Sequence, residues 1–169
     1  LSHCTELDLV GGKAVGLARL IAGGFLAPQG FCVTTEAYTQ YVHASGFMEH
    51  EEWQKVCALS GNERASVLAG CREQIRRIET SQLAAQCLTA LQGLNQPPNT
   101  RWAVRSSATN EDAAHTSFAG LYRTHLGVAL SDIEAALKDL WASLWEERVV
   151  SYQTRQSNPM APRMAVVPV

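Results

Sequence analysis

Apolar positions along the chain recur mostly at helical spacing. Val15, Leu17, Ala18, Leu20 and Ile21 form one set, and Ala37, Tyr38, Tyr41 and Val42 a second. Val67, Leu68, Cys71, Ile75 and Ile78 make a third stripe. Leu83, Cys87, Leu88 and Leu91 make a fourth. The strongest is Ile133, Leu137, Leu140, Trp141 and Leu144, which predicts a single helix reaching Tyr152. Trp141 and Trp145 read as packing residues. Between these stripes lie segments of period two. They predict strands near 31–33, 101–106, 121–127 and 164–169.

Helix ends are marked by small and polar residues. In VGGKAVGLARL, Gly11 and Gly12 break the preceding segment, and Gly23 with Gly24 ends the helix that follows. Thr34 or Thr35 caps the next helix. Ser60 with Glu63 fits a capping box, or Asn62 is the cap there. Ser131 with Glu134 fits another capping box. Gly93 stops the fourth stripe, and Pro97-Pro98-Asn99 leads into the central strand.

Composition narrows the picture. The chain has 169 residues, which suits one domain with a real core. A net charge of −2 gives no global basic footprint, so nucleic acid is not the expected partner. No apolar run approaches the roughly 18–20 residues needed to span a bilayer, so no membrane association is expected. Leu1 to Val10 carries Glu6 and Asp8 and does not read as a signal peptide. The five cysteines are Cys4, Cys32, Cys57, Cys71 and Cys87, with no CxxC pair. The expectation is reduced, mostly buried thiols in a cytoplasmic setting, with no zinc site or disulfide framework.

Candidate chemistry concentrates between Arg101 and Val128. Trp102 and Val104 fall on one face of a strand, Ala103 and Arg105 on the other. The strand is expected to break at Ser106, Ser107, Ala108, Thr109 and Asn110. The chain then returns through Tyr122, Thr124 and Leu126. A small-residue loop brings backbone N–H groups close to an anion, and the arginine adds five fixed donors. The plain alternative is a sheet arginine paired with Glu111 or Asp112. Lys13 sits near a helix N-terminus, where a cation is unfavourable unless an anion is close. Its plain alternative is a solvated first-turn residue. The Walker A spacing is absent.

The segments VGGKAVGLARL, PQGFCVTTEAY, WAVRSSATNEDAAHTSFAGLYRTHLGV, ALKDLWASLWEERVVSY and MAVVPV stand in this order. Together they resemble the N-terminal nucleotide-binding domain of the phosphoenolpyruvate synthase and pyruvate phosphate dikinase family, which rifampicin phosphotransferases share. The resemblance implies an α+β fold: a partial ATP-grasp-like domain with helices packed on a small, mainly antiparallel sheet. It implies that residues 1–169 are the N-terminal part of that domain, ending before a second subdomain. It further implies ATP as ligand, with Lys13 and Arg105 as catalytic residues holding its phosphates and Ser106 and Ser107 among the nucleotide-binding residues. Ser117, Phe118, Ala119 and Gly120 match the family's small-residue loop. Mg2+ is implied for the complete enzyme, with ligands outside this chain. Downstream phosphohistidine and acceptor-binding domains are the implied partners. Pyruvate is the implied acceptor, an antibiotic the alternative. A free-standing, non-catalytic nucleotide-binding module is a further alternative. The chain departs from the family pattern at Leu121 and Pro168, where glutamine is usual, and at Gln153, where arginine is frequent.

Overall fold

A three-stranded antiparallel sheet separates two apolar layers of unequal size. The computed structural model describes residues 1–109, 121–155 and 163–169. The strands are β1 (Trp102–Ala108), β2 (Thr124–Val128) and β3 (Met164–Pro168), in the order β2-β1-β3. The helices are α1 (Leu7–Ala22), α2 (Thr35–Ala44), α3 (Glu49–Ala58), α4 (Gly61–Arg76), α5 (Ser81–Gln92), α6 (Ile133–Ser143) and α7 (Glu147–Gln153). The class is α+β, as expected.

Alternation along β1 assigns the two faces. Trp102, Val104 and Ala108 join the larger core, together with Met164 and Val166 of β3. Arg105 pairs with Val167, and Ser107 with Ala165. Directly paired residues share a face. Val167 packs with Val10, Ala14 and Val15, so Arg105 and Ser107 lie on the α1 side. The larger core is built on Trp141 and Trp145, both fully buried. Tyr38 meets Trp141 edge-on at 5.5 Å, and Phe47 meets Trp145 edge-on at 5.3 Å. Such edge-to-face pairs add to the burial of apolar area.

Several expectations are corrected. β1 does not break at Ser106. It runs to Ala108, because Ser106, Ser107 and Ala108 pair with Val166, Ala165 and Met164. The segment near 31–33 forms only one bridge, Val33 to Val166. The helix expected to reach Tyr152 is interrupted. The amides of Leu144, Trp145 and Glu146 bond three residues back, and α7 starts anew at Glu147. Arg72 stabilises the break by donating to the Trp145 carbonyl at 2.7 Å. Neither capping box forms. Ser60 makes no capping bond, Ser131 donates to Asp132 at 2.9 Å, and Glu134 accepts from Thr80 at 2.7 Å. Thr34 does cap α2, accepting from the Ala37 amide. All five thiols are free, but only Cys71 and Cys87 are buried, and Cys57 is exposed.

The outer strand β2 carries a bulge. Trp102 faces Val128 while Val104 faces His125, which leaves one extra residue on β2. Gly127 takes up the distortion at φ +69°. Leu126 is 77% exposed as a result. Behind this strand, Asp139 of α6 gathers Arg76 at 2.8 Å, His125 at 3.0 Å and Arg123 at 3.3 Å. Burial raises the Asp139 carboxyl, but the Arg76 hydrogen bond and charge, with Arg123 and His125, outweigh it and hold its pKa below the ordinary value. Among the described residues no helix is long and apolar enough to cross a membrane.

Candidate functional site

The site begins at a break inside α1. Gly11 has φ 72° and ψ 171°, so the helix stops and restarts there. That region of backbone space is essentially restricted to glycine. Gly12, Lys13 and Ala14 follow as a new first turn. A helix restarting here presents N–H groups and the positive end of its dipole. The preceding turn is tied down from outside. The Thr35 hydroxyl donates to the Asp8 carbonyl at 2.7 Å, and the Cys32 thiol to the Val10 carbonyl at 3.8 Å. Burial pushes the Cys32 thiol up to about 12, which keeps it a protonated donor.

Strand β1 is locked to this turn at Ser107. The Ala14 amide donates to Ser107 Oγ at 3.1 Å. A Cβ placed on Gly11 would stand 2.1 Å from the Ser107 carbonyl oxygen, so the two backbones touch. Ser107 is fully buried. Two residues back on the same face is Arg105, half-buried. Among the described residues its Nε is buried without a hydrogen-bond partner. An unpaired buried guanidinium nitrogen costs free energy, which an anionic ligand would offset. Arg105 and the half-buried Lys13 are thus carried by elements packed together on one side of the sheet.

Ser106 alternates to the other face, where its hydroxyl donates to the Arg123 carbonyl at 2.8 Å. Ser117, Phe118, Ala119 and Gly120 lie outside the described residues, as do Glu111 and Asp112. Leu121 packs against the larger core. Gln153 is buried and donates to the Tyr122 hydroxyl at 3.5 Å. Pro168 forgoes a strand amide, yet its carbonyl accepts from Phe31 at 3.3 Å. Gly30 fits closely over that carbonyl, since a Cβ there would come within 2.1 Å.

Sequence reasoning missed the supports of the Lys13 turn. Thr35 was legible only as a capping candidate, and Cys32 as a buried thiol. Their bonds reach back 27 and 22 residues, so no local pattern announces them. What the arrangement can do is hold an anion. It offers a helix N-terminus, a lysine in its first turn and an arginine with a buried, unpaired donor.

Comparison with known proteins agrees with an anionic ligand. The family model for the pyruvate phosphate dikinase AMP/ATP-binding domain matches residues 7–168. The phosphoenolpyruvate synthase of Aeropyrum pernix is 38% identical over 162 residues, covering 87% of this chain and 19% of the relative. A rifampicin phosphotransferase of Streptomyces sviceus is 34% identical, covering 96% of this chain and 19% of the relative. The phosphoenolpyruvate synthase of Escherichia coli is 33% identical, with 89% and 20% covered. The chain therefore spans about a fifth of the length of these relatives.

Proposed function

The chain belongs to the pyruvate phosphate dikinase AMP/ATP-binding domain family, and on that premise we propose that it is the ATP-binding portion of a phosphoenolpyruvate synthase-like phosphotransferase. In this reading it is the first part of an ATP-grasp-like domain. ATP phosphorylates a histidine on another domain, and the phosphoryl group then passes to pyruvate. A cytoplasmic setting suits five free thiols.

The observation that carries the reading is Arg105. Its Nε is buried and, among the described residues, unpaired, and it stands on the sheet face against which the Lys13-bearing helix packs. A polyphosphate supplies the oxygens that such a donor lacks. Phosphoryl transfer spreads charge over phosphate oxygens, and fixed cations stabilise that charge without reorganising. Lys13 contributes a point charge at the helix N-terminus, and Arg105 a directional donor from the strand. Mg2+ would supply further neutralisation of phosphate charge in such an enzyme. Among the described residues no three His, Cys, Asp or Glu side chains converge to hold a metal.

The test is AMP formation from ATP and pyruvate by the longer protein that carries this domain. Lys13→Ala and Arg105→Ala are each expected to remove most of that activity with the fold intact. Full activity in either variant would remove that residue from the site. A second reading rests on the Streptomyces sviceus relative, which covers nearly the whole chain. In it the acceptor is rifampicin. Assays with the two acceptors side by side separate the readings.

A further inference from the structure

Ser107 stands in the stretch where the family resemblance places phosphate-binding residues, yet its geometry assigns it a different task. We propose that Ser107 is a positioning residue. It holds the Lys13 turn in register with Arg105 and thereby sets ATP affinity without touching the nucleotide. The inference rests on the nucleotide reading proposed above.

Three observations support it. First, Ser107 is fully buried, and its hydroxyl oxygen accepts from the Ala14 amide, the neighbour of Lys13. The oxygen therefore satisfies one of the donors that a restarting helix leaves without an internal acceptor. Second, the carbonyl of the same residue fixes the approach of Gly11. The glycine that begins the turn and the third residue after it are thus both referred to one strand residue. Third, Ser107 and Arg105 are two positions apart on β1, with their backbone held in register by Ala165 and Val167 of β3. The spacing between the two cations is then set by a short rigid path: Lys13, the adjacent Ala14 amide, Ser107 Oγ, β1 and Arg105. A bidentate or bridging contact to a polyphosphate depends on such spacing, since small misplacements cost much of the gain.

Ser106, the adjacent serine, is excluded from this task. It alternates away and gives its hydroxyl to the Arg123 carbonyl. The two serines of the VRSSA stretch therefore differ in role despite being adjacent.

The experiment is a double-mutant cycle on ATP affinity, read by calorimetry with the chain in hand. The variants are Ser107→Ala, Lys13→Ala and the pair. Ser107→Ala is expected to weaken ATP binding about fivefold, the size of a lost helix cap. In the Lys13→Ala background it should add almost nothing, because residues acting through one another are non-additive. Ser107→Cys fills similar space with a poorer acceptor and should fall between. Equal losses in both backgrounds, or no loss at all, would overturn the proposal. Hydrogen exchange provides an arm that needs no nucleotide. The Ala14 amide should exchange faster in Ser107→Ala, while amides of the α6 core keep their protection. Unchanged protection at Ala14 would refute the latch itself. Absence of ATP binding by the unmodified chain would instead overturn the nucleotide reading and the affinity role with it, leaving the latch to be judged by exchange.

Discussion

Gly11 lies so close to Ser107 that a side-chain Cβ on the glycine would stand 2.1 Å from the serine carbonyl oxygen. The glycine also sits at φ +72°. Gly11→Ala therefore meets both a backbone clash and a conformational penalty. We expect a loss of about 2 kcal/mol or more, read by chemical denaturation. Gly16 of the same helix is the control. A Cβ there meets nothing within 4 Å. Gly16→Ala should stabilise the chain by about 0.5–1 kcal/mol. Equal effects of the two substitutions would contradict the close approach.

The larger core makes a separate prediction. Trp145 is fully buried and packs edge-on against Phe47 at 5.3 Å and Trp53 at 6.1 Å. Trp145→Ala removes that volume and leaves a cavity. The expected cost is about 3–5 kcal/mol. Thermal unfolding reads it, and a shift within error of the parent would show that Trp145 does not anchor the core.

Asp139 predicts a pH dependence. Its pKa is held below the ordinary carboxylate value in the folded chain, against the effect of burial, by Arg76, Arg123 and His125. A group with a depressed folded pKa binds fewer protons in the folded state than in the unfolded one. Its contribution is present above the ordinary carboxylate pKa of about 3.9 and fades as pH falls through the lower folded value. Asp139→Asn should cost about 1 kcal/mol near neutrality, since its partners are partly solvated. The difference from the parent should shrink in strong acid. A gap that stays constant from neutral pH down to about pH 2 would contradict the ion-pair origin.

Local chemistry was readable in the sequence where both partners are local. The Gly11 break, the Lys13 turn, the Thr34 cap and the Gly93 stop all depend on residues within a few positions. The alternation that separates Val104 from Arg105 was readable for the same reason. The Ser107 role was not, because its partner Ala14 lies 93 residues away. Small polar residues that signal a loop by composition are here the part of a strand that admits a helix. The interruption before α7 was hidden because Leu144 and Trp145, which lie within it, are fully buried, so the apolar pattern runs on unbroken. The arginine that stabilises it, Arg72, comes from α4. The Ser131–Glu134 capping box failed because Asp132 and Thr80 took the two side chains instead.

Function and stability should pull apart at Arg105. Among the described residues its half-buried side chain leaves Nε without a partner, which is a cost carried by the folded chain. Arg105→Met keeps the aliphatic volume and removes the polar group. We expect the variant to be at least as stable as the parent, as commonly found when a functional site is relieved of such a cost. A large drop in Tm would show that Arg105 is a structural residue.

The most direct test of the account is the ATP affinity of that same variant, measured by calorimetry beside the parent chain and Lys13→Ala. The parent should bind saturably, and each variant should lose about tenfold or more, as for a charge-assisted phosphate contact. Parent-like ATP binding by a well-folded Arg105→Met chain would contradict it.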